Sequence, residues 1–114
     1  MPFLRFKGFD KSILKDASTA LAEQMSIMAN VSPETVKIEL IQVDQITETP
    51  CSVEIFMFQR DQKTHDEIAA MINHLLKGYG YSNIHIFYII LNPELYYKEG
   101  MPLNEIPRNV QPTF

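Results

Sequence analysis

The chemistry available to this chain is concentrated in its second residue. In Met1-Pro2-Phe3-Leu4-Arg5-Phe6, removal of the initiator methionine would expose a secondary amine at the tip of a hydrophobic strand. A free α-amino group titrates at about 7.7–8.0, and partial burial or a nearby cation lowers that value, because both disfavour the charged form. An amine that is neutral near physiological pH is a competent general base. With Met1 attached, the Pro2 nitrogen is an amide and has no basicity. Pro2 is thus the candidate catalytic residue, and the processing of Met1 decides whether it can act. The competing reading is a strand-opening proline, which costs no ladder donor at that position.

A base of this kind needs side chains that hold an anionic substrate, and Arg5, Arg60, Glu54, His85 and Tyr97 are the candidates. Arg5 carries a fixed positive charge suited to a carboxylate. Strand alternation puts it with Phe3 and Lys7 and opposite to Leu4 and Phe6, the nominal face of Pro2. Glu39 and Glu54 are also charges within apolar strands, so Arg5, Glu39 and Glu54 can instead form a cross-strand ion network. Arg60 lies at a strand-to-helix junction, where ligand contacts concentrate, or it pairs at the surface with Asp61 or Asp66. His85 opens the last strand on the face of Phe87 and Ile89, as a proton donor or acceptor or as a core or interface histidine. Tyr97, with Tyr96, either walls a neighbouring pocket or simply packs. His65 and His74 read as solvated. The three histidines lack metal-ligand spacing and Cys51 is the single cysteine, so no metal, cofactor or internal disulfide is expected.

The elements that must position these residues read as one pattern written twice. Strand Phe3 to Lys7 leads into a helix from about Ser12 to Met28, opened by Asp10 or Ser12, and a Ser32-Pro33-Glu34 turn leads to strand Val36 to Val43. Strand Ser52 to Phe58 leads into a helix from about Lys63 to Gly78, then to strand Ile84 to Leu91. In that second helix Ile68, Met71, Ile72, Leu75, Leu76 and Tyr79 fall on one apolar stripe. Thr64 and Glu67 have capping-box spacing, and Gly78 and Gly80 suit a stop. Apart from one turn at Pro93 to Tyr97, the proline-bearing tail should be extended. These units predict an α/β (α+β) domain over residues 1–114, with a core at 2–97 and an arm at 98–114, built on a four-stranded mixed sheet with two helices on one face. A ferredoxin-like βαββαβ sandwich is the rival arrangement of the same elements.

Ile84-His85-Ile86-Phe87-Tyr88-Ile89-Ile90-Leu91 is apolar on both faces, so it must be covered on both, and two helices cover only one. The second face is therefore expected to pack against other copies of the chain. A hydrophobic fraction of 46% against 21% charged residues is the balance of a packed globule. The net charge of −4, with lysines and arginines scattered, argues against nucleic acid as a partner. No run approaches the roughly 20 apolar residues of a membrane span, and the N-terminus does not read as a signal peptide. A cytoplasmic protein with no membrane partner is expected.

A strand beginning at Pro2, two βαβ halves, the Ser32-Pro33-Glu34 turn and a length of 114 residues together resemble the tautomerase superfamily, which includes macrophage migration inhibitory factor and 5-carboxymethyl-2-hydroxymuconate isomerase. The resemblance covers about residues 2 to 97. Met1 to Phe6, Val53-Glu54-Ile55-Phe56-Met57-Phe58-Gln59-Arg60 and Tyr96-Tyr97-Lys98-Glu99-Gly100 resemble a bacterial branch of it described as a domain of unknown function, number 1904. The resemblance implies a homotrimer whose sheets line a central barrel, with pockets near each amino-terminal proline at subunit boundaries. It implies that Pro2 moves a proton alpha to a carbonyl in a small 2-oxo or enol acid, while cationic side chains hold the carboxylate and the developing enolate. Hydration and dehalogenation of unsaturated acids belong to the same superfamily. This sequence has no lysine or arginine in the turn Asn30-Val31-Ser32-Pro33, and Gln59-Arg60-Asp61-Gln62 replaces a glycine-rich connection, which makes Arg60 a substitute cation. The alternative function is a catalytically silent scaffold or ligand-binding trimer that retains Met1.

Overall fold

A computed structural model describes residues 1–103 of the chain. The elements run β1 (Phe3–Lys7), α1 (Lys11–Ala29), β2 (Lys37–Ile41), β3 (Ser52–Phe58), α2 (Gln62–Gly78), β4 (His85–Leu91), β5 (Tyr97–Lys98) and β6 (Met101–Pro102), with short 3-10 turns at Pro33–Thr35 and Pro93–Leu95. Both helices start on an aspartate. The Asp10 carboxylate accepts from the Ile13 N–H at 3.1 Å and the Asp61 carboxylate from the Thr64 N–H at 2.9 Å. α2 thus begins one turn before the Thr64 capping box would start it: Asp61 is the cap and Thr64 sits three residues inside. α1 ends at Asn30 in the left-handed conformation, φ 58°.

The main sheet has the order β2-β1-β3-β4. β1 and β2 are parallel neighbours, as are β3 and β4, and the two halves meet antiparallel where β1 lies against β3. Each βαβ unit keeps its two strands side by side, whereas the ferredoxin-like rival splits the unit with an inserted strand. β2 stops at Ile41, short of the expected Val43, because its single partner β1 runs out at Lys7.

Both helices cover one face. Leu4, Phe6, Val53, Ile55 and Met57 point there and are buried against Leu14, Ala17, Leu21 and Met25 of α1 and Ile68, Met71, Ile72 and Leu76 of α2. The opposite face can be read as rows across the register. Lys37, Phe3, Phe56 and Ile89 form one row, Glu39, Arg5, Glu54 and Phe87 the next, and Ile41, Lys7, Ser52 and His85 the last. Both helices lie on the other side, and among the described residues Phe87 of this face stays 44% exposed.

Beyond β4 the expected extended arm folds back as a hairpin. Glu99 and Gly100 have φ of 52° and 77°, the doubly left-handed two-residue turn that matches strand twist. Tyr96 sets its ring edge-on to Phe58 at 5.6 Å. The arm beyond residue 103 lies outside the described residues.

Candidate active site

The N-terminal end of β1 is built by three neighbours. The Pro2 side chain is fully buried and its carbonyl accepts the Lys37 N–H at 2.9 Å, which ties the strand start to the first residue of β2. The terminal amine, here that of Met1, donates to the Thr35 carbonyl at 2.7 Å. One residue earlier in the same turn, the Glu34 carbonyl accepts from the Lys37 ammonium at 2.9 Å. Burial holds the terminal amine below its ordinary value of 8.0, and the Lys37 charge lowers it further.

Of the proposed binding residues, Arg60 and Tyr97 lie at this end of the sheet. Arg60 follows the end of β3, and its guanidinium donates to the carbonyls of Phe58 at 3.3 Å and Ala29 at 3.4 Å, fastening the end of α1 to the end of β3. Burial lowers its pKa from the ordinary guanidinium value, and a guanidinium remains charged there at any physiological pH. Tyr97 is exposed in β5. Neither the Asp61 nor the Asp66 surface pairing is the arrangement seen for Arg60.

The others lie elsewhere. Arg5 sits on the open face with its Nε 3.2 Å from Glu39 and its guanidinium 4.8 Å above the Phe56 ring, opposite in parity to buried Pro2. Glu54 pairs with Lys7 at 3.2 Å rather than with Arg5, so among the described residues the ionic lattice of this face consists of two pairs. His85 is level with Ser52 and Lys7, about 16 Å along the strand from Pro2. It lines a separate cavity of about 440 Å3 with Lys7, Phe87 and the 43–50 connection. The single chain therefore does not bring His85 or Glu54 to its own Pro2.

Two residues with a part in this end were not singled out by the sequence reading. Lys37 supplies the cation that the preceding turn lacks. His65, expected in solvent, is buried: its Nε2 accepts the Arg60 N–H at 2.9 Å, and its ring meets Tyr88 edge-on at 4.3 Å. The Tyr88 hydroxyl donates to the His65 carbonyl at 2.8 Å, and burial, aided by the Asp66 charge, raises the pKa of that phenol. His65 stands three residues before Ile68 and seven before Ile72, so helical spacing does place it on the apolar stripe. His74 is exposed. Among the described residues no three His, Cys, Asp or Glu side chains gather as a metal site, and no helix is long and apolar enough to cross a membrane.

Two adjacent βαβ units with antiparallel halves and both helices on one face define a tautomerase-type fold. Solved structures share it: the chain superposes on a macrophage migration inhibitory factor homologue from Prochlorococcus marinus at TM-score 0.70 and 13% identity, covering 90% of this chain and 97% of that one. A fused 4-OT protein, solved as an asymmetric trimer, superposes at TM-score 0.77 and 11% identity, covering 93% and 99%. More particularly, the chain belongs to the DUF1904 family, whose model matches residues 1–102. A DUF1904 protein from Sebaldella termitidis matches at TM-score 0.82 and 24% identity, over 89% of this chain and 98% of that one. No protein of curated function matches the sequence.

Proposed function

We propose that the chain, once Met1 is removed, is a proton-transfer enzyme of the tautomerase type. Pro2 acts as the general base on a small 2-oxo or enol acid, and Lys37 receives the carboxylate. The observation that carries this reading is the place of Pro2 beside Lys37: the Pro2 carbonyl accepts the Lys37 N–H at 2.9 Å, and the Lys37 ammonium lies on the Glu34 carbonyl at 2.9 Å, in the turn that also receives the chain's first amine. A cation beside the amine favours its neutral, basic form, and the same cation can hold the substrate's negative charge as it develops. Arg60 supports the site from behind by fixing the ends of α1 and β3. The open sheet face supports a homotrimer, in which a neighbour could bring its His85 or Tyr97 near Pro2.

The test begins with intact mass to establish that Met1 is absent. Turnover of phenylpyruvate or 2-hydroxymuconate is then compared between wild type, Pro2→Ala and Lys37→Gln. The reading requires loss of kcat in Pro2→Ala, on the order of the 100-fold or more that a positioned base contributes, and a raised KM in Lys37→Gln. Equal rates for wild type and Pro2→Ala would refute it.

A second reading, a silent scaffold or ligand-binding trimer, is favoured by one observation: with Met1 in place its amine is seated on Thr35 at 2.7 Å and the Pro2 nitrogen is an amide. Met1 retained in protein from the native host would select that reading.

A further inference from the structure

The turn at Pro33–Thr35 gathers two amines of different strength. The Met1 terminal amine donates to the Thr35 carbonyl at 2.7 Å and the Lys37 ammonium to the adjacent Glu34 carbonyl at 2.9 Å. Two carbonyl dipoles do not cancel two full charges, so the pair discharges through its weaker base. An ordinary terminal amine titrates at about 7.7–8.0 and a lysine at about 10.4, so the Met1 nitrogen loses its proton first. Burial and the Lys37 charge both push it in that direction. Desolvation and a neighbouring cation are the two circumstances that turn a protein amine into a nucleophile toward carbonyl carbon. The bond to Thr35 uses one N–H, so the lone pair of the neutral amine stays available.

We propose that the Met1-bearing chain captures small 2-oxo acids as imines on its terminal amine, with Lys37 receiving the carboxylate. The lone pair attacks the carbonyl carbon, forming the C–N bond, while the C=O π pair moves to oxygen; that oxygen takes a proton from water, and the nitrogen gives one of its own to the hydroxide so formed, leaving a neutral carbinolamine. The carbinolamine then loses its N-proton and its hydroxyl together as water, leaving C=N. Amine and 2-oxo acid give imine and water, with no oxidant or reductant involved. This chemistry separates the two processing states of one chain end: a primary amine forms a neutral imine, whereas the secondary amine of an exposed Pro2 can form only a charged iminium. The inference shares Lys37 with the proposed base but requires Met1 where that reading requires its removal. The two therefore fail in different preparations.

The test uses the full chain produced with methionine aminopeptidase inhibited and checked by intact mass. It is incubated at pH 7 with pyruvate and cyanoborohydride, which traps the imine as a stable adduct, and the label is located by the mass of the N-terminal fragment. A synthetic peptide of residues 1–7 and the carboxylate-free ketone acetone are the references. The expected result is N-terminal labelling several-fold faster in the folded chain than in the peptide with pyruvate, with that advantage lost with acetone. Lys37→Gln should lose most of the advantage and Lys37→Arg, which keeps the charge, should retain it, with circular dichroism confirming that both are folded. Labelling no faster than in the peptide, labelling spread over lysine side chains, or an equal advantage with acetone would overturn the proposal.

Discussion

The two faces of the four-stranded sheet are made by alternate residues of the same strands, yet they differ in kind. The helix-covered face is mostly apolar and closed over its central strands: Leu4, Phe6, Val53 and Ile55 are completely buried by the chain itself, while on the edge strand Tyr88 keeps a hydroxyl and Ile90 is 45% exposed. The open face interleaves Phe3, Phe56, Phe87 and Ile89 with the pairs Arg5–Glu39 and Lys7–Glu54. The first face is where the fold's stability resides. The second spends aromatic and aliphatic surface on positions that the single chain leaves partly in water, a composition suited to a second copy whose approach is ordered by charge as well as by apolar contact.

The contrast is tested most strongly by truncating one residue on each face. Ile55→Ala should cost about 2–5 kcal/mol, the range for a buried large-to-alanine change, as read by urea unfolding. Phe87→Ala on the open face should leave the unfolding of a dilute monomer nearly unchanged and instead lower the mass seen by light scattering. If Phe87→Ala destabilised the dilute chain as much as Ile55→Ala, the open face would belong to the monomer's own core and the contrast would collapse.

A smaller effect is expected where α2 meets the end of β3. His65→Phe keeps a ring against Tyr88 but removes the acceptor of the Arg60 N–H. Loss of that acceptor should cost about 1–3 kcal/mol, reduced by eliminating the His65 Nδ1, which has no partner among the described residues. Unchanged stability would mean that water takes over the Arg60 N–H at no loss, and that the histidine does not fix this end of the sheet.

Smaller still is the Arg5–Glu39 pair. Its side chains are 47% and 49% exposed, so a double-mutant cycle in the dilute monomer should return a coupling of about 0–1 kcal/mol. The same cycle measured in an assembled state should return more, because a covering copy would desolvate both charges. Equal couplings in the two states would leave this row facing solvent after assembly.

How much of this was legible in the sequence follows from the range of the physics involved. The helices and strands were readable because apolar periodicity is local: the stripe from Ile68 to Leu76 and the alternation in Val53-Glu54-Ile55 fix their own faces. Strand order and register were not, since they depend on pairings across tens of residues, and Lys37 was missed for that reason. Its place beside the chain start follows from the parallel register Phe3 to Lys37, which nothing within either strand announces. His65 is a different failure, because its spacing to Ile68 and Ile72 was visible but its polarity outweighed its position. Arg60 was recognised as a junction residue, whereas the carbonyls of Phe58 and Ala29 that its guanidinium meets carry no side-chain signature at all.

The least effect expected is a pH dependence that belongs to the closed face through its helix caps. The Ser12 hydroxyl and then the Ile13 N–H hold Asp10 below the usual 3.8, and bonds from Thr64 do the same for Asp61. A folded-state pKa below the unfolded one means that the unfolded chain binds more protons in the interval between them, so stability rises with pH across that interval. The contribution is complete above the ordinary carboxylate value and is lost as pH falls through it toward the folded-state values. Asn caps helices about as well as Asp without titrating. Asp10→Asn with Asp61→Asn should therefore keep most of the stability at pH 7 and flatten its decline in acid, as followed by thermal melts between pH 5 and 2. An unchanged acid limb would mean that the two helix caps do not set the acid sensitivity of the closed face, and the link drawn between the caps and the decline would fail.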